Sequence, residues 1–293
     1  DWSNIQANAI YGIYAGMVYF LAVPGGWIAD NILGYQKAVL IGALIITLGH
    51  FTLAIPLEQT FILGLVFVAI GTGLLKPNIS SIVGQLYSQN DSRRDSGFTI
   101  FYMAINIGSM LGFAVCGWLG EKVGWHFGFG AAGVGMLFGV TQFILFRHQL
   151  GEAGKYPNIV NEQTKTNYIR GVGLVVILIA SVVITGMAGF WSIDPVYFAE
   201  RFRDFLVVIS IIYFIYLLFF AGLTANEKKN VLMLLLLFIG AAAFWSGFDQ
   251  SAGSLTIFAR DHVNLTFGTF TAPVSWTQFV NPLFVVMFAP FFA

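Results

Sequence analysis

Apolar residues along this chain run on in long stretches of about 18 residues or more, separated by short polar breaks. Each stretch is long enough to cross roughly 30 Å of hydrocarbon as a helix. Nine spans are expected: Ile10 to Ala29, Ala38 to Ile55, Phe61 to Gln85, Gly97 to Leu119, Trp125 to Phe146, Val172 to Trp191, Phe205 to Leu223, Val231 to Phe258 and Phe270 to Ala293. A transmembrane barrel would instead show segments of alternating polarity. Continuous runs such as Val231 to Leu237 exclude it. The longest break, Arg147 to Tyr168, carries Gly151, Gly154, Pro157 and several charges and marks the best boundary. The pair of spans after it has hardly any polar residue inside, as expected of helices that face lipid, whereas the earlier spans are rich in Gly, Ser and Asn, which allow close helix contact.

Composition strengthens this reading. Of the 293 residues, 57% are hydrophobic and 10% charged, against about 25% charged in soluble domains. The fold class is therefore all-α integral membrane. Lys and Arg set the direction. If the first span runs inward, the inner loops hold nine, Lys37, Arg93, Arg94, Arg147, Lys155, Lys165, Arg170, Lys228 and Lys229, and the outer loops four, Lys122, Arg201, Arg203 and Arg260. The positive-inside rule favours that direction, which places Asp1 to Ala7 outside and Ala293 near the cytoplasm. A net charge of zero gives no reason to invoke nucleic acid. Cys116 is the only cysteine, so neither a disulfide framework nor a cysteine metal site is expected. The chain opens on Asp with no charged leader, and it starts outside and stops after an odd number of spans, which suggests a fragment.

Two charges are stranded in the apolar runs. Lys76 lies mid-way along the otherwise uncharged stretch from Gln59 to Asn90, and Asp249 lies in another from Asn230 to Ala259. An ion at mid-membrane depth costs about 2.5 to 3.5 kcal/mol on insertion scales and usually marks a substrate or ion path. Around Lys76, the segment Gly71 to Ser81 gathers small and polar residues, and Pro77 frees a backbone carbonyl of the kind tolerated where it lines a wet cavity. A buried structural ion pair is the competing reading.

Three further constellations lie in the spans. Tyr102, Asn106 and Ser109 share one helix face, suited either to a polar solute or to interhelical hydrogen bonds. Trp245 stands one turn before Asp249, whose carboxylate is a plausible proton carrier if a salt-bridge partner comes and goes, and a static ion pair otherwise. Ser275, Gln278 and Asn281 give the last span a polar stripe open to both explanations. His50, His126, His148 and His262 fall near span ends, where interfacial roles are expected. No nucleophile, metal-spaced or phosphate-binding motif stands in a loop able to host an active site, so the chain does not read as an enzyme.

Gly26, Asp30, Gly34 and Lys37 resemble the loop motif between the second and third helices of the major facilitator superfamily, in the longer form of the proton-dependent oligopeptide transporter (POT) family. Phe101 to Gly108 resembles that family's Phe-Tyr-x-x-x-Asn-x-Gly signature, Gly73 to Asn78 and Phe244 to Gln250 look like its fourth and seventh helices, and Asn281-Pro282 is similar to the Asn-Pro of its eighth. The resemblance implies a partial major facilitator fold comprising helices 2 to 8 plus two inserted helices. Residues 1–150 would form an amino-terminal bundle without its first helix, residues 151–230 a linker with two extra lipid-facing helices, and residues 231–293 the start of the carboxy-terminal bundle. It implies a multi-pass transporter of a bacterial inner membrane, monomeric and without a cofactor. Such a protein moves di- and tripeptides inward with protons by alternating access. By the same resemblance, Lys76 contributes to peptide carboxylate binding and proton coupling. Tyr102 and Trp245 line the pocket, Asn106 and Asn281 hold peptide polar groups, and Tyr11 and Tyr19 are pocket or near-pocket tyrosines. Asp249 belongs to an outer salt bridge whose arginine lies on the first helix, which carries a Glu-x-x-Glu-Arg motif absent from this chain. Gly12 stands where animal members carry a histidine, so a histidine-based proton step is not expected. The competing expectations are a related facilitator for nitrate, sugar or drugs, and a membrane fragment that does not transport.

Overall fold

The computed structural model describes residues 2–88, 90–158, 161–190, 192 and 194–291. Asp1, Trp191 and Ala293, at the ends of expected segments, lie outside the described residues. Among the described residues, nine helical stretches are long and apolar enough to cross a membrane: Asn4–Leu33, Tyr35–Leu53, Glu58–Gln85, Arg94–Lys122, Trp125–Leu150, Glu162–Gly186, Pro195–Phe220, Ala225–His262 and Val274–Phe291. The expected spans all appear, with shifted ends.

Two stretches depart from uninterrupted α-helix in ways that matter below. The eighth is broken: helix α10 (Ala225–Phe248) gives way to a 3-10 turn at Asp249–Ser251, and α11 (Ser254–His262) follows Gly253, whose φ and ψ are both −103°. The ninth starts four residues later than expected. Phe270, the expected start, belongs to a small antiparallel hairpin in which Thr266 pairs with Thr271 and Phe267 with Phe270. Gly268 turns the hairpin at φ +64°, a conformation that favours glycine. Pro273 then opens a 3-10 turn, Val274–Phe279, which leads into α12 (Val280–Phe288).

The chain packs as two compact units. The larger comprises Tyr14–Ser192 and Leu265–Ala293, the smaller Asp1–Ile13 and Ile193–Asn264. Helix α1 (Asn4–Phe20) runs through the boundary between those residue ranges.

In the larger unit, α2 (Ala22–Ile28), α3 (Tyr35–Leu53) and α4 (Glu58–Gln85) are joined by glycines. A Cβ at Gly42 would lie 2.6 Å from the Gly71 carbonyl oxygen, and a Cβ at Gly71 would lie 2.6 Å from that of Gly42. Two backbones can meet this closely only without side chains, and lipid-immersed helices gain their association from such van der Waals contact. Helix α5 (Arg94–Leu111) continues through a π-helical stretch, Gly112–Gly117, into the short α6 (Trp118–Lys122), and α7 (Trp125–Phe146) packs on α3 with Gly133 beside the Phe51 ring. Helix α8 (Glu162–Met187) starts on an Asn161 cap and buries none of its most apolar stretch.

The polar break after α7 is docked along the helix ends. Asn158 N–H donates to the Asp30 carbonyl at 2.6 Å and Gln36 N–H to the Gly154 carbonyl at 2.9 Å. Gln36 Nε2 reaches the Ala153 carbonyl at 2.8 Å, and the Gln85 side chain accepts from Gly154 N–H at 2.7 Å. Gly34 and Gly154 both have positive φ, and a Cβ on Gly34 would meet the Lys155 carbonyl oxygen at 2.8 Å.

In the smaller unit, Asp194 caps α9 (Pro195–Ile215) by accepting from Val196 and Tyr197 N–H, and Thr224 with Glu227 forms a reciprocal capping box at the start of α10. Phe214 packs against Phe238 with ring centroids 5.4 Å apart, beside an apolar groove of about 420 Å³ that Leu234, Leu237 and Ala241 also line.

Candidate functional site

Lys76 owes its position to its neighbours. Pro77 lacks an N–H, so the Gly73 carbonyl one turn earlier has no helix partner. That carbonyl packs directly over Gly25 of α2. Asn78, 1% exposed, donates to both the Gly25 carbonyl at 3.2 Å and the Leu74 carbonyl at 2.7 Å. This clamp fixes the rotation of α4. Lys76 lies two residues from Asn78, about 200° round the helix at about 100° per residue, and is exposed. Its Nζ stands 4.3 Å from the centroid of the Tyr19 ring. A cation–π contact of this kind contributes about 0.5 to 2 kcal/mol, depending on desolvation.

The rest of the polar segment around Lys76 serves the helix itself. Ser80 and Ser81 hydroxyls donate to the Pro77 carbonyl at 2.8 and 3.0 Å. The cluster that reads as one polar lining therefore separates into an exposed ammonium and a buried structural clamp.

On α5, Asn106 Nδ2 donates back to the Tyr102 carbonyl at 2.8 Å and Ser109 to that of Ile105 at 3.2 Å. Tyr102 is 54% exposed and Asn106 partly so, on the shared face that the spacing predicts. Helix α12 packs against α5 and carries exposed Asn281 ahead of buried Pro282. The polar stripe of the last span is not uniform. Ser275 Oγ is buried without a hydrogen bond among the described residues and lies against Gly117, so this residue packs helices together and does not extend the exposed position of Asn281.

A residue that sequence reading passed over holds this junction. Both carboxylate oxygens of Glu121 accept backbone hydrogen bonds, Oε2 from Val274 N–H at 2.7 Å and Oε1 from Ser275 N–H at 2.8 Å. The one signal in the sequence was Pro273, which forecasts a helix start whose first free N–H groups need acceptors.

The smaller unit holds Tyr11, Trp245 and Asp249. Trp245 packs edge-on against Phe244 and Phe248, with centroids 5.6 and 5.1 Å away. Asp249 is the first residue of the 3-10 turn that ends α10, so the second stranded charge marks a helix break where a continuous span was expected. Tyr11 is half-buried. Among the described residues, neither Lys76 nor Asp249 belongs to a salt bridge.

Of the loop motif, Asp30 lies in a π-helical turn, Ala29–Leu33, with its carboxylate near the Tyr35 hydroxyl and its carbonyl accepting from Asn158 N–H. Gly34 supplies the positive φ and the close approach to Lys155, Lys37 is exposed, and Gly26 has open space where a side chain would be.

Comparison with known proteins agrees with these motifs. A family model described as "POT family" matches residues 36–293. The chain is 40% identical over 299 residues to the peptide transporter YePEPT of Yersinia enterocolitica, covering 98% of this chain and 58% of that protein. It is 36% identical over 300 residues to a di-/tripeptide transporter of Lactococcus lactis subsp. cremoris, covering 98% and 59%. A crystal structure of peptide transporter POT in complex with sulfate superposes with a TM-score of 0.88 at 36% identity, covering 99% of this chain and 60% of that one. The chain thus spans about three fifths of the length of the relatives it matches. Together with its nine apolar helices, these matches make it a multi-pass membrane protein that belongs to the POT family.

Proposed function

We propose that the protein acts as a proton-coupled symporter that carries di- and tripeptides into a bacterial cell across the inner membrane by alternating access. The observation that carries this reading is the Lys76 ammonium: exposed at mid-span, beside the Tyr19 ring, without a carboxylate partner among the described residues. A fixed cation at membrane depth is costly unless a function retains it, and the terminal carboxylate of a peptide is the group it would attract. Tyr102, Asn106 and Asn281 would meet the peptide's amide and amino groups, with Trp245, Tyr11 and Tyr19 lining the pocket. Asp249 would be the gating carboxylate, and its place at a helix break suits a charge whose surroundings change during transport. The loop around Gly26, Asp30, Gly34 and Lys37 would act in the conformational change. Residues 1–150 would belong to one bundle and 231–293 to the other, joined by 151–230, in a monomer that needs no cofactor beyond the proton.

The test is uptake of a labelled dipeptide into liposomes that hold the protein expressed from its full reading frame, under an inward proton gradient. Gradient-dependent accumulation supports the reading. Absence of uptake for every di- and tripeptide tried, with protein shown to be folded, would sink it.

A further inference from the structure

We infer that Glu121 is a positioning residue that latches the 3-10 turn leading into α12 to the α5–α6 stretch, and so fixes Asn281 against the helix that bears Tyr102 and Asn106. This rests on the transport reading above for its consequence, though not for its geometry. Pro273 is fully buried and donates no hydrogen bond, so the first free donors of the last span are the N–H groups of Val274 and Ser275. Glu121 takes both, one on each carboxylate oxygen, at 2.7 and 2.8 Å and partly shielded from solvent. Charge-assisted bonds to backbone N–H are stronger than neutral ones, and the start of a helix favours a negative charge.

The same junction is closed by a second contact. Gly117, one turn before Glu121, lies directly against the Ser275 side chain, with room for no side chain of its own. Glycine and carboxylate therefore meet two consecutive residues of the last span. Family resemblance assigns residues 1–150 and 231–293 to opposite bundles, yet Leu265–Ala293 clusters with the spans of the first. Lys122, the last residue of α6, follows Glu121 at the end of the span that the charge bias places outside. The latch therefore closes the outer side, and opening that side to a peptide must break it.

A glutamine in this position can accept only one of the two bonds and turns an N–H₂ donor towards the other N–H. Glu121→Gln should therefore unlatch the junction almost as fully as Glu121→Ala, whereas Glu121→Asp, which keeps the charge, should recover part of the effect. Loss of one or two such bonds shifts a two-state balance by about tenfold.

The experiment uses the protein expressed from its full reading frame, with every native cysteine, Cys116 included, replaced by Ala and spin labels at Val123→Cys and Thr269→Cys. Both positions are exposed. In the parent, the label pair should occupy mainly a short distance. Glu121→Gln should move the balance towards a longer distance by about tenfold. In liposomes it should lower KM for external dipeptide and kcat together, because the outer-open state becomes more populated and closure less favourable. An unchanged distance distribution and unchanged KM in folded Glu121→Gln protein would overturn the latch. If the Ala variant does not fold, the Gln and Asp variants decide. If the parent transports no peptide, the transport reading fails while the distance measurement still judges the latch.

Discussion

Replacing Asn78 by Ala tests whether α4 is held in rotation by a clamp or by general packing. The side chain is 1% exposed and makes two hydrogen bonds, to the Gly25 and Leu74 carbonyls. Each such bond contributes about 0.5 to 1.5 kcal/mol, and both carbonyls keep a backbone N–H partner, Ala29 N–H for that of Gly25. The cavity left by the amide adds to the loss. The expected destabilisation is about 2 to 3 kcal/mol. At about 2 to 4 °C per kcal/mol for a chain of this size or larger, the unfolding midpoint should fall by about 5 to 10 °C. Lys76→Ala provides the contrast, because the lysine is exposed and its ring contact with Tyr19 is worth about 0.5 to 1 kcal/mol there. Its midpoint should move by about 1 to 4 °C, less than that of Asn78→Ala. Thermal unfolding of purified protein in one detergent at one heating rate gives both values, since membrane-protein unfolding is scan-rate dependent. If Asn78→Ala unfolds like the parent while Lys76→Ala unfolds early, the assignment of one residue to structure and the other to function is wrong.

Other substitutions probe the remaining contacts. Gly71→Val should lower the midpoint or abolish folding, because its Cβ would lie 2.6 Å from the Gly42 carbonyl and 2.7 Å from an Ile46 side-chain carbon, and overpacking costs about 1 to 3 kcal/mol or more; purification yield and thermal unfolding report it. Gly154→Val should release the segment after α7 from the helix ends, since it combines a φ of +69° with a Cβ 2.9 Å from that of Tyr35. Proteolysis near residues 151–158 should then be at least several-fold faster than in the parent. Glu227→Ala should cost about 1 kcal/mol through loss of the capping box at the start of α10, read as a small midpoint shift.

The spans were legible because the bilayer imposes a length and a composition that a single sequence records directly. Lys76 and Asp249 were legible for the same reason, as charges out of place. What escaped notice depends on chain-distant partners. Asn78 reads as one more polar residue near Lys76 until Gly25, 53 positions earlier, is seen to accept its bond. Glu121 reads as part of an outer loop until Val274 and Ser275, 153 and 154 positions later, are seen to donate to it. Only the second strand of the hairpin, Phe270–Thr271, reads as part of an apolar run, because Phe and Thr suit both strand and span; Thr266–Phe267 falls in the connection before it, and Gly268 and Pro273 are the hints of the interruption. The break at Asp249 was hidden for a related reason. Neither Gly253 nor the neighbouring serines stop a helix by themselves, and the turn is a property of the backbone conformation at Gly253.

Lys76→Ala in liposomes addresses the central claim most directly, by comparing dipeptide accumulation under an inward proton gradient with dipeptide exchange across a membrane without one. The account predicts that the parent accumulates peptide, and that the variant loses accumulation while any surviving activity is exchange alone. Normal uphill accumulation by the variant would show that the lysine is structural and would contradict the account.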